Sequence, residues 1–170
     1  IYPSTLFDAI MDAFGKSGIK ADDRKKRFTT RASIYRKPLK GARILVAEDN
    51  PTNQQVAQAI LEGAGIVVTI VGDGEAAVEA VRGHTFDAVL MDIQMPRMNG
   101  YEATRLIRNM PEGETLPVVA MTAHAMKGDE EKCLEAGMDG YISKPVNQDR
   151  LFHTLWRLLR SSGRLPDIHA

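Results

Sequence analysis

The chain is short of several things. Of its 170 residues one is cysteine and one is tryptophan, aromatic residues make up 6%, and Lys/Arg and Asp/Glu balance at 22 each. The single Cys133 excludes an internal disulfide and fits a reducing compartment. Its helical surroundings make it a packing residue or idle surface. No apolar run nears the ~20 residues that a bilayer span needs, and no signal peptide opens the chain. It begins at Ile1 rather than Met and reads as a piece of something longer. The histidines His84, His124, His153 and His169 do not fall at metal-ligand spacing. What is there is 44% hydrophobic and 26% charged, the composition of a globular chain. The length suits one ordinary domain plus extra.

Zero net charge hides an asymmetry. Residues 16–43 hold 11 Lys/Arg against 2 Asp/Glu, a net +9; residues 44–170 hold 11 against 18, a net −7; residues 1–15 add −2. A basic connector is joined to an acidic domain. Residues 19–41 read as an interdomain linker, rich in charge and poor in apolar side chains, with Pro38 disfavouring helix just before it. No basic helix or aromatic platform accompanies the charge, so nucleic acid is not the expected partner. A solvated tether or docking of the basic linker on an acidic neighbouring domain both fit. The docking reading, in which Ile34 and Tyr35 enter a groove, predicts sensitivity to salt and to charge reversal at Arg24 to Arg27.

From residue 42 to 161, short apolar runs alternate with amphipathic stretches. The runs are RILVAE (43–48), IVVTIV (66–71), FDAVLM (86–91), PVVAM (117–121) and YIS (141–143). They are rich in Val and Ile and lack strict alternation, as strands covered on both faces do. Between them lie helical segments with caps at Asn50 and Asp73, Pro51 at a first helical position, and Gly63 or Gly65, Gly83 and Gly163 as stops. Five strands in strict alternation with five helices predict an α/β domain, a parallel sheet with helices on both faces.

Residues 1–18 predict a capped amphipathic helix. At an offset of 145, Leu6, Phe7, Ile10, Ser17 and Gly18 align with Leu151, Phe152, Leu155, Ser162 and Gly163. This reads as the truncated last helix of a preceding copy of the same domain; a chance match of two amphipathic helices is the alternative. Residues 162–170 form a C-terminal tail.

Ligands of open parallel sheets bind beyond the carboxyl ends of the strands. Glu48 and Asp49 follow the first strand, Asp92 the third, Thr122 the fourth and Lys144 the fifth. Carboxylates held this close repel unless a cation intervenes. A hard divalent ion, Mg2+, suits oxygen ligands. A carboxylate flanked by such an ion, an ammonium and a hydroxyl is arranged to accept a phosphoryl group. Taken singly, each residue has a plainer role as turn, cap or surface charge; their coincidence at four strand ends is the signal.

The segments ILVAEDNPTNQQVA, FDAVLMDIQMPRMNGYEATR, PVVAMTAHAM and DGYISKPV, in this order and spacing, resemble the receiver domain of two-component response regulators across residues 42–161. The resemblance implies a flavodoxin-like fold with strand order 2-1-3-4-5. It implies Asp92 as phosphoacceptor. It implies a Mg2+ site of Glu48, Asp49, Asp92 and the backbone carbonyl of Gln94, with Glu48 acting through water. The sequence departs from the pattern in having Glu rather than Asp at position 48. Thr122 and Lys144 are implied to grip the phosphoryl oxygens, Tyr141 to be the aromatic switch, and Gln94 and His124 to tune dephosphorylation. Lys144-Pro145 matches the family's cis peptide.

The motifs look most like the C-terminal receiver of a hybrid sensor histidine kinase. They imply a cytoplasmic phosphorelay module, with any membrane anchor belonging to the parent protein. It takes its phosphoryl group from a kinase core on the same polypeptide and passes it to a histidine phosphotransfer protein or keeps it as a switch. No glycine-rich ATP-lid sequence is present, so the ATP-using core is not in this chain. Three alternatives stand beside this: a stand-alone regulator acting by protein contact, a haloacid-dehalogenase-like phosphatase, and a degenerate receiver serving as scaffold. Gln94 argues against the second, which needs Asp there; the intact acidic pair with Asp92, Thr122 and Lys144 argues against the third.

Overall fold

The computed structural model describes residues 31–123 and 127–165. Five strands form one parallel sheet: β1 Arg43–Ala47, β2 Val67–Val71, β3 Ala88–Asp92, β4 Val118–Thr122 and β5 Gly140–Ser143. Their order is β2-β1-β3-β4-β5, so the chain turns back across the sheet between β1 and β3. Register pairs Ala47 with Met91 and Asp92 with Met121, which brings the carboxyl ends of the central strands level.

Side chains on a strand point alternately to opposite faces, and the core divides accordingly. Ile44, Val46, Leu90, Val119, Met121 and Ile142 pack on one face, under α2 (Pro51–Glu62) and α6 (Gln148–Ser161). Leu45, Ala47, Val89, Met91, Val118 and Ala120 pack on the other, under α3 (Gly74–Gly83), α4 (Gly100–Arg108) and α5 (Lys127–Glu135). This explains the missing polar alternation: β1, β3 and β4 are covered on both sides. Among the described residues no helix is long and apolar enough to cross a membrane.

Helix starts obey local chemistry. Asn50 accepts from the amides of Thr52 and Asn53 at 2.9 and 3.2 Å, and Asp73 from that of Ala76 at 2.8 Å. Asn99 and Glu102 form a reciprocal capping box at the start of α4.

The connector requires a correction. Residues 1–30, and with them the helix expected over 1–18 and most of the linker, lie outside the described residues, as do 166–170 of the tail. Residues 31–39 are not a solvated tether: they form a helix, α1 (Arg31–Leu39), with Pro38 in its last turn. Leu39 is fully buried in the core beneath α6. The Tyr35 ring lies 5.0 Å from that of His153 and 5.2 Å from that of Trp156. The Arg36 guanidinium sits 4.9 Å over the Phe152 ring and donates to Gln148. Tertiary packing outweighs the helix-breaking tendency of Pro38 at the end of so short an element.

Candidate phosphoacceptor site

Short-range bonds place each acidic group. Glu48, one residue past β1, points inward: its Oε1 accepts from the amide of Asn50 at 3.1 Å and from Asn53 Nδ2 at 3.4 Å. Gln54 Nε2 donates to the backbone carbonyl of Glu48 at 2.6 Å, so α2 anchors the loop that carries the acidic pair. Asp92 is the last residue of β3, and its Oδ1 accepts from the amide of Gln94 at 3.3 Å. Gly100 begins α4 directly against this strand end. A Cβ there would lie 2.3 Å from the Asp92 carbonyl oxygen, so only glycine lets α4 start so close. Thr122 ends β4, and the amide of Lys144 donates to its carbonyl at 2.7 Å, tying the ends of β4 and β5 together. The Lys144-Pro145 peptide is cis.

These bonds gather the predicted residues. Glu48, Asp49 and Asp92 can each offer an oxygen so that all three atoms lie within 4.8 Å of one another. Lys144 Nζ donates to Glu48 Oε2 at 2.6 Å and lies 3.1 Å from Asp92 Oδ2. Glu48 and Asp92 are only 2% and 4% exposed, whereas Asp49 is open to solvent. An all-oxygen set of three carboxylates with a single close ammonium is a donor set that fits Mg2+.

The electrostatics separate the two buried carboxyls. Burial pushes the Asp92 carboxyl up; the Lys144 ammonium works against this and the Glu48 charge with it, leaving Asp92 at about 6. Burial also pushes Glu48 up, but Lys144 and the Asn50 amide outweigh it and hold Glu48 below the ordinary carboxylate range. Burial disfavours the Lys144 ammonium, and its two carboxylate partners more than restore it.

A cavity of about 240 Å³ opens in front of Asp92, lined also by Gln94, Thr122 and Lys144. Three further lining residues come from helices: Tyr101 from α4, and Asp129 and Lys132 from α5. The strand ends alone give no hint of these three, although Tyr101 lies just two residues past the Asn99 cap. Burial, followed by contact with Cys133, pushes the Tyr101 phenol up to about 12, so it stays neutral. Cys133 is itself buried, and burial raises its thiol, which makes it a packing residue. A second cavity shares Gln94 and Tyr101 with the first and is lined also by Asp49, Met95 and Asn99. Tyr141 does not line either cavity. It faces a groove between α5 and α6 shared with His153. His124 lies outside the described residues.

Comparison with known proteins agrees with this geometry. A family model for the response regulator receiver domain matches residues 44–155. Histidine kinase 1 of Arabidopsis thaliana is 39% identical over 162 residues, covering 75% of this chain and 13% of that protein. The crystal structure of the receiver domain of sensor histidine kinase PA1611 from Pseudomonas aeruginosa, with magnesium in its active-site cleft, is 44% identical. It superposes with a TM-score of 0.67 over 71% of this chain and 98% of that one. The receiver domain of the Saccharomyces cerevisiae response regulator Ssk1, solved with the histidine phosphotransfer protein Ypd1, is 26% identical. Its TM-score is 0.69 over 76% and 96% of the two chains. The chain belongs to the response regulator receiver family, and its role is that of a receiver in a two-component phosphorelay. It resembles the receiver regions of hybrid histidine kinases and spans about an eighth of the length of such a relative, 13% for the Arabidopsis protein.

Proposed function

We propose that Asp92 accepts the phosphoryl group, from a phosphohistidine of a kinase core on the parent polypeptide, and passes it to a histidine phosphotransfer protein. The observation that carries this is the buried Asp92 carboxylate, facing an open cavity with Lys144 Nζ at 3.1 Å. An Asp92 oxygen attacks phosphorus in line. The new P–O bond forms as the P–N bond breaks, and the donor imidazole nitrogen leaves with the bonding pair. A carboxyl at about 6 is more basic than an ordinary one yet still mostly ionised at neutral pH, which suits a nucleophile.

Lys144 and the Thr122 hydroxyl take the phosphoryl oxygens, and the sheet holds both in place before the reaction. Glu48, Asp49, Asp92 and the Gln94 carbonyl would hold Mg2+, which supplies positive charge against the phosphoryl oxygens. Gln94 and His124 tune dephosphorylation, and Tyr141 turns inward as Thr122 engages the phosphoryl group. The partner reading is supported by the Ssk1 receiver, which was solved with a phosphotransfer protein. The test is transfer of label from a phosphorylated histidine phosphotransfer protein in Mg2+. The wild-type chain takes up label and Asp92→Asn does not; equal labelling of the two refutes the assignment.

A further inference from the structure

The helical wall of the acceptor cavity carries charges that the transfer chemistry above leaves unused. Asp129 and Lys132 are three residues apart on α5, hence on one helix face, and both line the cavity of about 240 Å³ in front of Asp92. Lys144 is committed to Glu48 and Asp92 at 2.6 and 3.1 Å. The Lys132 side chain is exposed, and its ammonium forms no ion pair or hydrogen bond with any described residue. Three carboxylates, Glu48, Asp49 and Asp92, outweigh Lys144 at the strand ends, so Lys132 is the cation among the described lining residues left to draw in an anion. Asp129 opposes it from the same wall.

We infer that Lys132 is a guiding cation that draws anionic phosphodonors to Asp92, with Asp129 setting the opposite bias. This rests on the phosphoacceptor reading. The chemistry recognised is the doubly charged phosphoryl oxyanion, which a small acyl phosphate and a protein phosphohistidine share. With acetyl phosphate, the new P–O bond forms to an Asp92 oxygen and the bond from phosphorus to the acetyl oxygen breaks. Acetate leaves with the bonding pair.

The experiment measures the rate of adduct formation from acetyl phosphate in Mg2+, at low salt and near 1 M salt. The variants are Lys132→Gln, Lys132→Glu, Lys132→Arg and Asp129→Asn. The guiding role predicts a fall of about threefold to tenfold for Lys132→Gln at low salt, a larger fall for Lys132→Glu, retention in Lys132→Arg and acceleration in Asp129→Asn. The differences shrink below about twofold near 1 M salt, where the screening length is about 3 Å. A merely structural role for Lys132 would show in the melting temperature and leave the salt dependence unmoved. Rates for Lys132→Gln equal to wild type at low salt overturn the inference while Asp92 phosphorylation stands. A wild-type chain that takes no phosphoryl group at all overturns the phosphoacceptor reading, and this inference with it.

Discussion

Replacing Asp92 by Asn should stabilise the protein when divalent cations are chelated. In the folded chain the carboxyl is 4% exposed and sits beside Glu48. Its value rises from the ordinary 3.8 to about 6. At about 1.4 kcal/mol per tenfold change in proton affinity, keeping it ionised at neutral pH costs about 3 kcal/mol. Asparagine removes that charge but also the contact with Lys144, which keeps its 2.6 Å bond to Glu48. A net gain of about 1–2 kcal/mol remains, a rise of roughly 3–8 °C in Tm for a domain of this size. The pH dependence has a definite sign. The folded state holds the Asp92 proton more tightly than the unfolded state, so wild-type stability falls as pH rises from about 3.8 through about 6. The advantage of Asp92→Asn should therefore be full above pH about 7 and fade as pH drops towards 4. Added Mg2+ should narrow it by binding only the folded wild type. Thermal melts in EDTA across this pH range give the answer. A variant that melts at or below wild type at pH 7.5, or a gap that does not depend on pH, would show that the buried Asp92 charge is not destabilising.

Other substitutions probe the supports. Lys144→Ala strips the cation from two buried carboxylates and should cost about 3 kcal/mol by urea denaturation in chelator, and lower the rate of phosphoryl uptake about 100-fold. Leu39→Ala opens a void under α6 and should cost about 2–4 kcal/mol. Because Tyr35 packs on Trp156, the only tryptophan in the chain, loosening of α1 should also shift the intrinsic fluorescence. Unchanged stability would show that α1 is a tether after all. Gly100→Ala forces a Cβ to within 2.3 Å of the Asp92 carbonyl oxygen; it should destabilise by about 2–4 kcal/mol and slow phosphoryl uptake, and a neutral result in both assays would contradict the close approach of α4.

Most of the site is legible because strand ends are legible. Val- and Ile-rich runs bounded by caps locate β1, β3, β4 and β5 within a residue or two. Glu48, Asp92, Thr122 and Lys144 are then placed by the rule that parallel sheets bind at their carboxyl ends. Strand order is not encoded in the pattern, since each βα unit looks alike; it comes from the resemblance of the whole motif series. Helix α1 escapes the pattern because Tyr35 and Leu39 are diluted by Arg36, Lys37 and Pro38, and only contact with α6 makes the segment helical. Tyr101, Asp129 and Lys132 escape it because helices reach the cavity from the side, at positions set by how α4 and α5 pack on the sheet. The direction of Tyr141, into the groove between α5 and α6, is a rotamer choice on an edge strand and leaves no trace in the sequence.

If the position-92 carboxylate forms an acyl phosphate, reductive trapping will locate it. Treatment with acetyl phosphate and Mg2+, then borohydride, converts an aspartyl phosphate to homoserine, which peptide mass mapping locates. Phosphorylation of Asp92 gives homoserine at position 92 and none elsewhere. Homoserine at another acidic residue, or none in a folded sample that has bound Mg2+, would contradict it.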